Sequence, residues 1–311
     1  MFEKSKKYFS YASYIPSFLK NYGLGSTLRA CYYFNYCRLK QPSLKEKTPQ
    51  IVIANGYKIS VIPDDPGISS ELRIFNTHEP LTTEFTIREL KKGMTCIDIG
   101  SNIGYYALLE AKAVGKNGNV IAIEPSPKNF EYLKRNVELG NIQNIKLYNL
   151  AVGDKDGEIN FVISDISNLC YVLNDDEPTP KFAKVIKIPV KKIDTFIDEE
   201  KLEKIDFIRM DVEGYEVNLF EGMWNTLRKN KPLIQMEFHK GLLNPKVALD
   251  FLEKLKQAGY VVKYFIPKDL DRAIIGKIKD VKKHHKNIDD IKDMINKKSS
   301  CNVFILFLEN I

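Results

Sequence analysis

The sequence predicts an α/β fold built on a mostly parallel central sheet. Short apolar segments of strand length alternate with segments of helical length from Cys96 to Ala258. Alternation of this kind places successive strands side by side in parallel. The first strand of the series ends in a glycine turn, residues 98–104, that opens a helix. One large domain with additions accounts for the 311 residues of the chain.

Residues 1–49 form a basic, aromatic N-terminal arm that we expect to be helical. Residues 1–47 hold nine Lys and Arg against two Glu, a net charge of +7 that equals the charge of the whole chain. The arm also carries seven of the 16 tyrosines. We expect its aromatic side chains to pack on the body, with contact to an anionic membrane surface or to a partner as alternatives. Because the rest of the chain is formally neutral, we do not expect it to bind nucleic acid.

Residues 50–82 are predicted to form a β-hairpin and a connecting segment. Asn55-Gly56 separates the strand-like runs 50–54 and 57–62, and both turn positions tolerate a positive φ. Residues 66–80 then predict a short helix and a loop.

Residues 83–311 form the main domain, whose elements follow from apolar periodicity and from glycine and proline boundaries. The predicted helices cover residues 83–92, 105–114, 127–139, 191–203, 216–228 and 245–258. The predicted strands end at Ile99 and Glu124 or cover 145–150, 205–211, 232–238, 261–266 and 302–308. Residues 162–190 are less regular, with strand-like ends, and stand where a cofactor lid or substrate loop would lie. A basic insertion, 267–300, separates the last two strands and is expected to be partly helical around 288–295.

Composition is typical of an ordinary soluble protein. Hydrophobic residues make up 44% of the chain and charged residues 28%. No apolar run approaches the ~20 residues of a membrane helix, and the basic start lacks the apolar core of a signal peptide. Five cysteines, widely spaced and without a Cys-x-x-Cys pair, predict neither disulfides nor zinc. We therefore expect a cytoplasmic protein, with a position peripheral to the membrane as the alternative.

The turn Asp98-Ile-Gly-Ser-Asn-Ile-Gly104 predicts a nucleoside-cofactor pocket. Glycine lacks the Cβ that would block a ligand from the backbone N–H groups of such a turn. Glu124 ends the next strand, where a carboxylate can bind ribose hydroxyls. The spacing differs from the Gly-x-Gly-x-x-Gly of dinucleotide sites, and an acid two residues before the first glycine suits S-adenosylmethionine. We expect Asp98 to hold the ammonium of that cofactor, directly or through water.

Acids and a histidine follow the next two strands of the sheet, whose carboxyl ends face the ligand crevice of an open α/β sheet. Methyl transfer to an alcohol benefits from a base that takes the hydroxyl proton. His239 is the candidate base because imidazole titrates near neutrality. Asp211 either orients the imidazole or takes the proton itself. Glu216 is expected only to decorate the first turn of a helix, where negative charge is favoured.

Several of these residues also form a plausible divalent-metal set: Asp211, Glu213, Glu237 and His239. The same residue types occur together in metal-free sites. We therefore predict a site without a metal, with a divalent ion as the alternative. His284-His285 is expected to belong to a solvated loop, since adjacent residues seldom converge on one ion.

Four motifs together resemble the FkbM family of S-adenosylmethionine-dependent methyltransferases. They are Asp98-Ile-Gly-Ser-Asn-Ile-Gly104, Glu124-Pro-Ser-Pro127, Asn149-Leu-Ala-Val-Gly-Asp154 and Asp211-Val-Glu-Gly-Tyr-Glu216. The resemblance covers residues 84–239, about half of the chain, and implies O-methylation, commonly of a sugar or polyketide hydroxyl. Arg209 stands where the family pattern leads us to expect a lysine.

The predicted fold is accordingly a Rossmann-like class I methyltransferase sheet with an antiparallel last strand, because such sheets insert their final strand antiparallel. The predicted cofactor-binding residues are Glu84, Asp98, Gly100, Ser101, Asn102, Gly104, Glu124, Pro125, Asn149 and Ala151. The predicted catalytic residues are His239 and Asp211. The predicted partner is a carbohydrate or glycolipid acceptor.

Two other functions remain open from the residues alone. A nicotinamide-dependent oxidoreductase also places an acid after the second strand, although it expects a closer glycine pair. A non-catalytic module that retains the fold and binds the cofactor is the second alternative. A nucleobase N-methyltransferase is disfavoured, because Asp211-Val-Glu-Gly stands where an Asn/Asp-Pro-Pro-aromatic motif would be expected. The acceptor and the oligomeric state do not follow from the residues.

Overall fold

A computed structural model describes residues 11–40, 48–173, 184–272, 275, 278, 281, 286–296 and 303–311. The paired histidines, His284-His285, lie outside the described residues. The first described element is helix α1 (Tyr11–Lys40), as expected for the arm. Gly23, at φ 77° and ψ 172°, divides α1 into two helical sections.

The predicted hairpin is confirmed: β1 (Gln50–Ala54) pairs antiparallel with β2 (Tyr57–Val61). Asn55 and Gly56 have φ values of 49° and 85°, the positive values that this turn requires. Two helices connect the hairpin to the sheet, α2 (Ile68–Phe75) and α3 (Pro80–Glu89). Helix α3 begins three residues before the predicted start because Pro80 occupies its first turn, where the fixed φ of proline favours a helix.

The alternation of strands and helices then follows as predicted. The elements are β3 (Thr95–Ile99), α4 (Tyr105–Val114), β4 (Asn119–Ile123), α5 (Pro127–Leu139) and β5 (Ile145–Tyr148).

A second, four-stranded sheet occupies the region that we predicted to be irregular. Its strands are β6 (Ala151–Val152), β7 (Gly157–Ile163), β8 (Tyr171–Leu173) and β9 (Lys184–Lys191), in the order β6-β9-β7-β8. Strand β7 pairs antiparallel with both β8 and β9. The predicted strand-like ends fit β9 and the end of β7. The sheet itself was missed because β6 and β8 have only two and three residues, and because its strands pair across separate segments of the chain.

The remaining elements complete the domain. They are α6 (Ile193–Glu199), β10 (Phe207–Met210), α7 (Glu216–Glu221), α8 (Trp224–Asn230), β11 (Leu233–Phe238), α9 (Pro245–Gln257), β12 (Tyr260–Pro267), α10 (Ile288–Asn296) and β13 (Phe304–Asn310). The prediction of a single helix over 216–228 is wrong, because the helix is interrupted at Gly222 and two shorter helices form. A Cβ at this position would lie 1.9 Å from the carbonyl oxygen of Gly153, so the close approach requires glycine.

The central sheet has the order β12-β13-β11-β10-β3-β4-β5. Strand β13 is antiparallel to both of its neighbours, whereas the pairs from β11 to β5 are parallel. The predicted antiparallel last strand is thus confirmed. Apolar side chains cover both faces of the sheet: Ile97 belongs to the core shared with α6 to α10, and Cys96 to the core shared with α4, α5 and the hairpin.

The arm packs on the body through a third apolar cluster. Tyr33 stacks on Phe75 of α2, with ring centroids 5.2 Å apart. Ala30 and Tyr33 are buried with Phe85 of α3 and Phe307 of β13. The second section of α1 therefore lies against the edge of the sheet that carries β12 and β13.

Candidate active site

A cleft lies at the carboxyl ends of the parallel strands. Residues at the ends of β3, β4 and β10 line it, including Ile99, Ile123 and Asp211. Phe161 and Val172 of the second sheet line it as well. An open α/β sheet binds its ligands at this edge.

The glycine turn that ends β3 is held by its neighbours in the protein. Gly100 has a φ of 77°, and a Cβ there would lie 2.0 Å from the carbonyl oxygen of Asp211. Gly104 has a φ of 92°, and its Cβ would lie 2.7 Å from a methyl carbon of Leu133. We expected the bare glycine to admit a ligand. The structure adds a different reason for it: the end of β10 approaches too closely for any side chain.

Glu124 is buried and lines the cleft. Its Oε2 accepts a hydrogen bond from the N–H of Asn102 at 2.7 Å, and its Oε1 accepts one from the N–H of Ser126 at 2.9 Å. Burial raises the pKa of this carboxyl to about 7, against the lowering effect of the hydrogen bonds. The carboxyl therefore titrates near neutral pH at the position where the sequence predicts the ribose.

Asp98 is fully buried beneath an arginine. Its Oδ1 accepts a hydrogen bond from Arg209 Nη1 at 2.9 Å, and Arg209 Nη2 donates to Asp211 Oδ2 at 3.3 Å. The guanidinium also lies 4.0 Å from the ring centre of Tyr106, a cation–π contact. Asp98 is not among the residues that line the cleft, and its ion-pair partner in the structure is Arg209.

The structure brings half of the predicted cofactor residues to the cleft: Gly100, Asn102, Glu124, Pro125 and Ala151. Others support that wall from behind. Ser101 Oγ donates to the carbonyl of Asp98 at 2.9 Å, and Asn149 Nδ2 donates to the carbonyl of Glu124 at 2.7 Å. Glu84 lies apart from the cleft, half-exposed on α3 and paired with Arg88.

His239 is buried beside the cleft and bonded to Glu216, the first residue of α7. The distance from His239 Nδ1 to Glu216 Oε1 is 2.6 Å. Glu216 is fully buried, and its Oε1 also accepts from the N–H of Gly214. Our expectation that Glu216 only decorates a helix end is therefore wrong. Glu216, rather than Asp211, orients the imidazole, and this bond leaves Nε2 to face the other acids.

Three further carboxyl groups lie near the imidazole of His239, two of them close to Nε2. Glu237 Oε1 lies 3.4 Å from it and Glu213 Oε2 lies 3.5 Å from it. A carboxylate oxygen of Asp211 lies within 4.8 Å of the ligand-type atoms of Glu237 and His239. Burial opposes the charged imidazole, but the hydrogen bond to Glu216 and the acids outweigh it, so the pKa of His239 is well above its usual value.

Like charges in this cluster also raise the pKa of two acids. Burial and the charge of Glu237 raise the pKa of Asp211 to about 6. Burial and the charge of Asp211 raise the pKa of Glu213 to about 8. Glu213 lines the cleft, whereas His239 is not among the lining residues. Glu213 thus stands between the imidazole and the cleft as a carboxyl that titrates near neutral pH.

Lys268 supplies positive charge to this cluster from the start of the basic insertion. Its Nζ lies 2.6 Å from Glu237 Oε2 and also bonds Glu79, the residue before α3. Glu79 in turn contacts His78 Nε2 at 3.3 Å. Asp211, Glu237 and His239 together have the residue types and spacing of a metal site. In the structure, however, the ammonium of Lys268 donates a hydrogen bond to one carboxylate oxygen of Glu237.

Sequence reasoning gave no role to Glu79, Tyr106 or Lys268, and treated Arg209 only as a departure from a family pattern. Lys268 lies among many basic residues of the insertion, and Glu79 precedes a helix, so the local sequence around neither residue indicates a functional role. A partial signal exists for Arg209, since its position two residues before Asp211 on a strand puts both side chains on one face.

A family model described as "Methyltransferase FkbM domain" matches residues 98–262, just over half of the chain. Among curated proteins, "Hexuronic acid methyltransferase AglP" of Haloferax volcanii is 28% identical over 168 residues, which are 53% of this chain and 64% of that protein. "2-O-methyltransferase NoeI" of Sinorhizobium fredii is 27% identical over 176 residues, which are 50% of this chain and 70% of that protein. "Methyltransferase 1" of Beauveria bassiana is 24% identical over 143 residues, which are 41% of this chain and 57% of that protein.

Solved structures give similar matches. A methyltransferase FkbM from Methylobacillus flagellatus KT is 20% identical, with a TM-score of 0.33, over 48% of this chain and 33% of that one. The chain spans less than two thirds of the length of the first two curated relatives, "Methyltransferase 1" and AglP.

Proposed function

The chain belongs to the FkbM family of methyltransferases, and on this premise we propose that it transfers a methyl group from S-adenosylmethionine to a hydroxyl of a sugar or glycan. The observation that carries the proposal is the pair Glu216–His239 beside a cleft that Glu124 also lines. Glu124 suits the binding of a nucleoside, and His239 suits the activation of a hydroxyl. We assign the reaction to residues 83–311.

The residues of the cleft fit the cofactor. Glu124 offers a carboxylate for the ribose hydroxyls, and apolar side chains such as Ile123 and Val152 line the same cleft. Two buried oxygens, Asn102 Oδ1 and Asp211 Oδ1, have no hydrogen-bond partner among the described residues. Buried polar atoms of this kind favour a polar ligand at this position. S-adenosylmethionine, when bound, supplies a methyl group already activated by its positively charged sulfur.

The proposed role of His239 follows from its two nitrogens. Glu216 holds Nδ1, so Nε2 is the atom that receives a proton. As the acceptor hydroxyl takes up the methyl group, its proton would pass to Nε2 of His239. Glu213 lies 3.5 Å from Nε2 and lines the cleft, so we assign to its carboxyl group the hydrogen bond to the acceptor hydroxyl. A cation bound in the cleft would counteract the surrounding acids and so would lower the raised pKa of His239.

The names of two relatives support the acceptor class. AglP is named as a hexuronic acid methyltransferase and NoeI as a 2-O-methyltransferase. A hexuronic acid is a sugar, and 2-O-methylation takes place on a hydroxyl, so a sugar hydroxyl agrees with both names. Its pKa is far above neutral pH, so its methylation benefits from a base such as His239.

Two measurements test the proposal. Isothermal titration of the full chain with S-adenosylmethionine, beside NAD, is expected to give binding of the first only. Transfer of tritiated methyl groups is then measured against a panel of uronic acids, neutral sugars and polyketide alcohols, and we expect incorporation into a sugar. Binding of NAD alone would identify an oxidoreductase, and binding of S-adenosylmethionine without transfer to any sugar would refute the proposed acceptor.

A further inference from the structure

Helix α1 presents an apolar row to solvent on the side opposite its packed face. Leu24, Leu28 and Tyr32 follow one another at intervals of four residues and are 61–65% exposed, and Leu39 is 78% exposed. Residues four apart share one face of a helix. The row is therefore a continuous surface rather than a scatter of single side chains.

The opposite face of the second section of α1, the part after Gly23, packs on the body of the protein. Ser26, Thr27, Ala30 and Tyr33 are buried. Tyr33 donates its hydroxyl hydrogen to Glu71 at 3.0 Å. The apolar row is thus held outward by the packing of the opposite face, and it does not turn inward to join the core.

The concentration of such side chains is unusual within this chain. Six of the 14 exposed large apolar residues among those that the structure describes belong to α1, which also carries Ile15 and Leu19 on the section before Gly23. Contiguous exposed apolar surface of this kind marks an interaction site, whereas single exposed residues need no explanation.

Charge identifies the occupant. Residues 1–47 carry a net charge of +7, and the remainder of the chain is neutral. Lys20 and Lys40 on α1 are exposed near the row. An apolar row that includes a tyrosine and has basic residues beside it suits a surface with an apolar interior and anionic headgroups. Two copies of the arm would repel each other, so the charge disfavours a second copy of the chain as occupant.

From this geometry we infer that α1 lies on an anionic membrane surface, with Leu24, Leu28, Tyr32 and Leu39 inserted among the lipids. The contact is peripheral, since no described helix combines the length and apolar character that crossing a bilayer requires. The inference does not depend on the proposed reaction, because the binding of lipid is measured without turnover.

The experiment is sedimentation of the full chain with vesicles. We expect binding to vesicles of equimolar phosphatidylglycerol and phosphatidylcholine, weaker binding at high salt, and little binding to phosphatidylcholine alone. The variant Leu24→Gln/Leu28→Gln is expected to weaken binding about tenfold or more, since it removes two exposed apolar side chains that the lipids would bury. Glutamine is also a good helix former, so the helix itself is preserved.

A matched control keeps the test specific. Ile51→Thr/Ile53→Thr removes two side chains of the hairpin that are 51% and 63% exposed, and it is expected to bind vesicles like the unaltered chain. A second pair, Leu28→Gln/Leu39→Gln, repeats the test if the first variant melts at a lower temperature. Equal binding by all variants would overturn the inference. So would a dimer, seen by light scattering, that the same substitutions dissociate.

Discussion

Lys268 and Glu237 form a largely buried ion pair at the carboxyl edge of the sheet, with Lys268 Nζ 2.6 Å from Glu237 Oε2. The two residues come from opposite sides of β13, because Glu237 is on β11 and Lys268 follows β12. Glu79 binds the same ammonium. A cation from the insertion therefore stabilises acids that lie beside His239.

Removal of that cation is expected to destabilise the protein. Lys268→Met leaves Glu237 and Glu79 buried without their partner, and loss of one member of a buried pair costs about 3 kcal/mol. Lys263→Met is the matched control: Lys263 lies on β12 and pairs with Glu89 and Glu309 nearer the surface, so we expect a loss of about 1 kcal/mol or less. Urea unfolding of both variants measures the difference, and equal losses would contradict the assigned role.

The same pair predicts how stability depends on pH. Burial opposes ionisation of Glu237, but Lys268 and the hydrogen bond from His239 outweigh it and lower its pKa from 4.5 to about 2. An acid whose pKa is lowered by folding adds stability above its unfolded pKa and loses that contribution as the pH falls through the folded value. Unfolding free energy is therefore expected to fall between about pH 4.5 and pH 2. In Lys268→Met this part of the decline should be smaller, and an identical profile would show that another group is responsible.

Substitution of His239 is expected to slow methyl transfer strongly without preventing cofactor binding. His239→Gln removes the proposed base and should lower kcat about 10²-fold to 10⁴-fold. Glu216→Gln keeps the shape but weakens the orienting bond, so its loss of kcat should be smaller. Glu84→Gln, on the exposed face of α3, is the control and should behave like the unaltered enzyme. Methyl transfer and isothermal titration give the two readouts, and full activity of His239→Gln would exclude it as the base.

Binding of the cofactor should improve as the pH rises through neutrality. Glu124 has a pKa raised to about 7 by burial, and its ionised form is the better acceptor for ribose hydroxyls. We expect the Kd for S-adenosylmethionine to fall between about pH 6 and pH 8 as Glu124 loses its proton. Glu124→Gln should bind more weakly at high pH and show a flatter profile. A profile that Glu124→Gln leaves unchanged would assign the pH dependence to a different residue.

Substitution of two glycines distinguishes the cost of backbone strain from the cost of a steric clash. Gly93 and Gly100 have similar φ values, 85° and 77°, but the Cβ position of Gly93 has no atom within 4 Å. Gly93→Ala should cost about 1 kcal/mol, the strain of a left-handed alanine. Gly100→Ala must also move the Asp211 carbonyl, and we expect a loss of about 3 kcal/mol. Thermal or urea unfolding measures both, and equal losses would mean that the turn yields easily.

Activity is expected to survive chelation of metal ions. Lys268 already places positive charge on Glu237, so the cluster with Asp211 and His239 needs no divalent ion to hold its acids together. Transfer is measured after dialysis against EDTA and again after addition of Mg²⁺ or Mn²⁺. Loss of activity that an added metal restores would overturn the prediction of a metal-free reaction.

The sequence alone determined the central sheet, the hairpin and the position of the cleft. Strand and helix periodicities are local, and Asn55-Gly56 and the turn of residues 98–104 act within a few residues. A cleft at the carboxyl ends follows from the parallel order of the strands. The second sheet was missed because two of its strands have only two and three residues, and because the pairing of all four depends on how separate segments meet.

Only the tertiary structure decided which charged groups meet. Glu216 reaches His239 across 23 residues, Arg209 reaches Asp98 across 111, and Lys268 reaches Glu79 across 189. No local pattern encodes these pairs, since each depends on how separate strands and loops converge in three dimensions. Buried charges are stable only with their partners. The fold, by bringing the partners together, therefore determines which acids orient a ring, which ones hold a cation and which ones face the cleft.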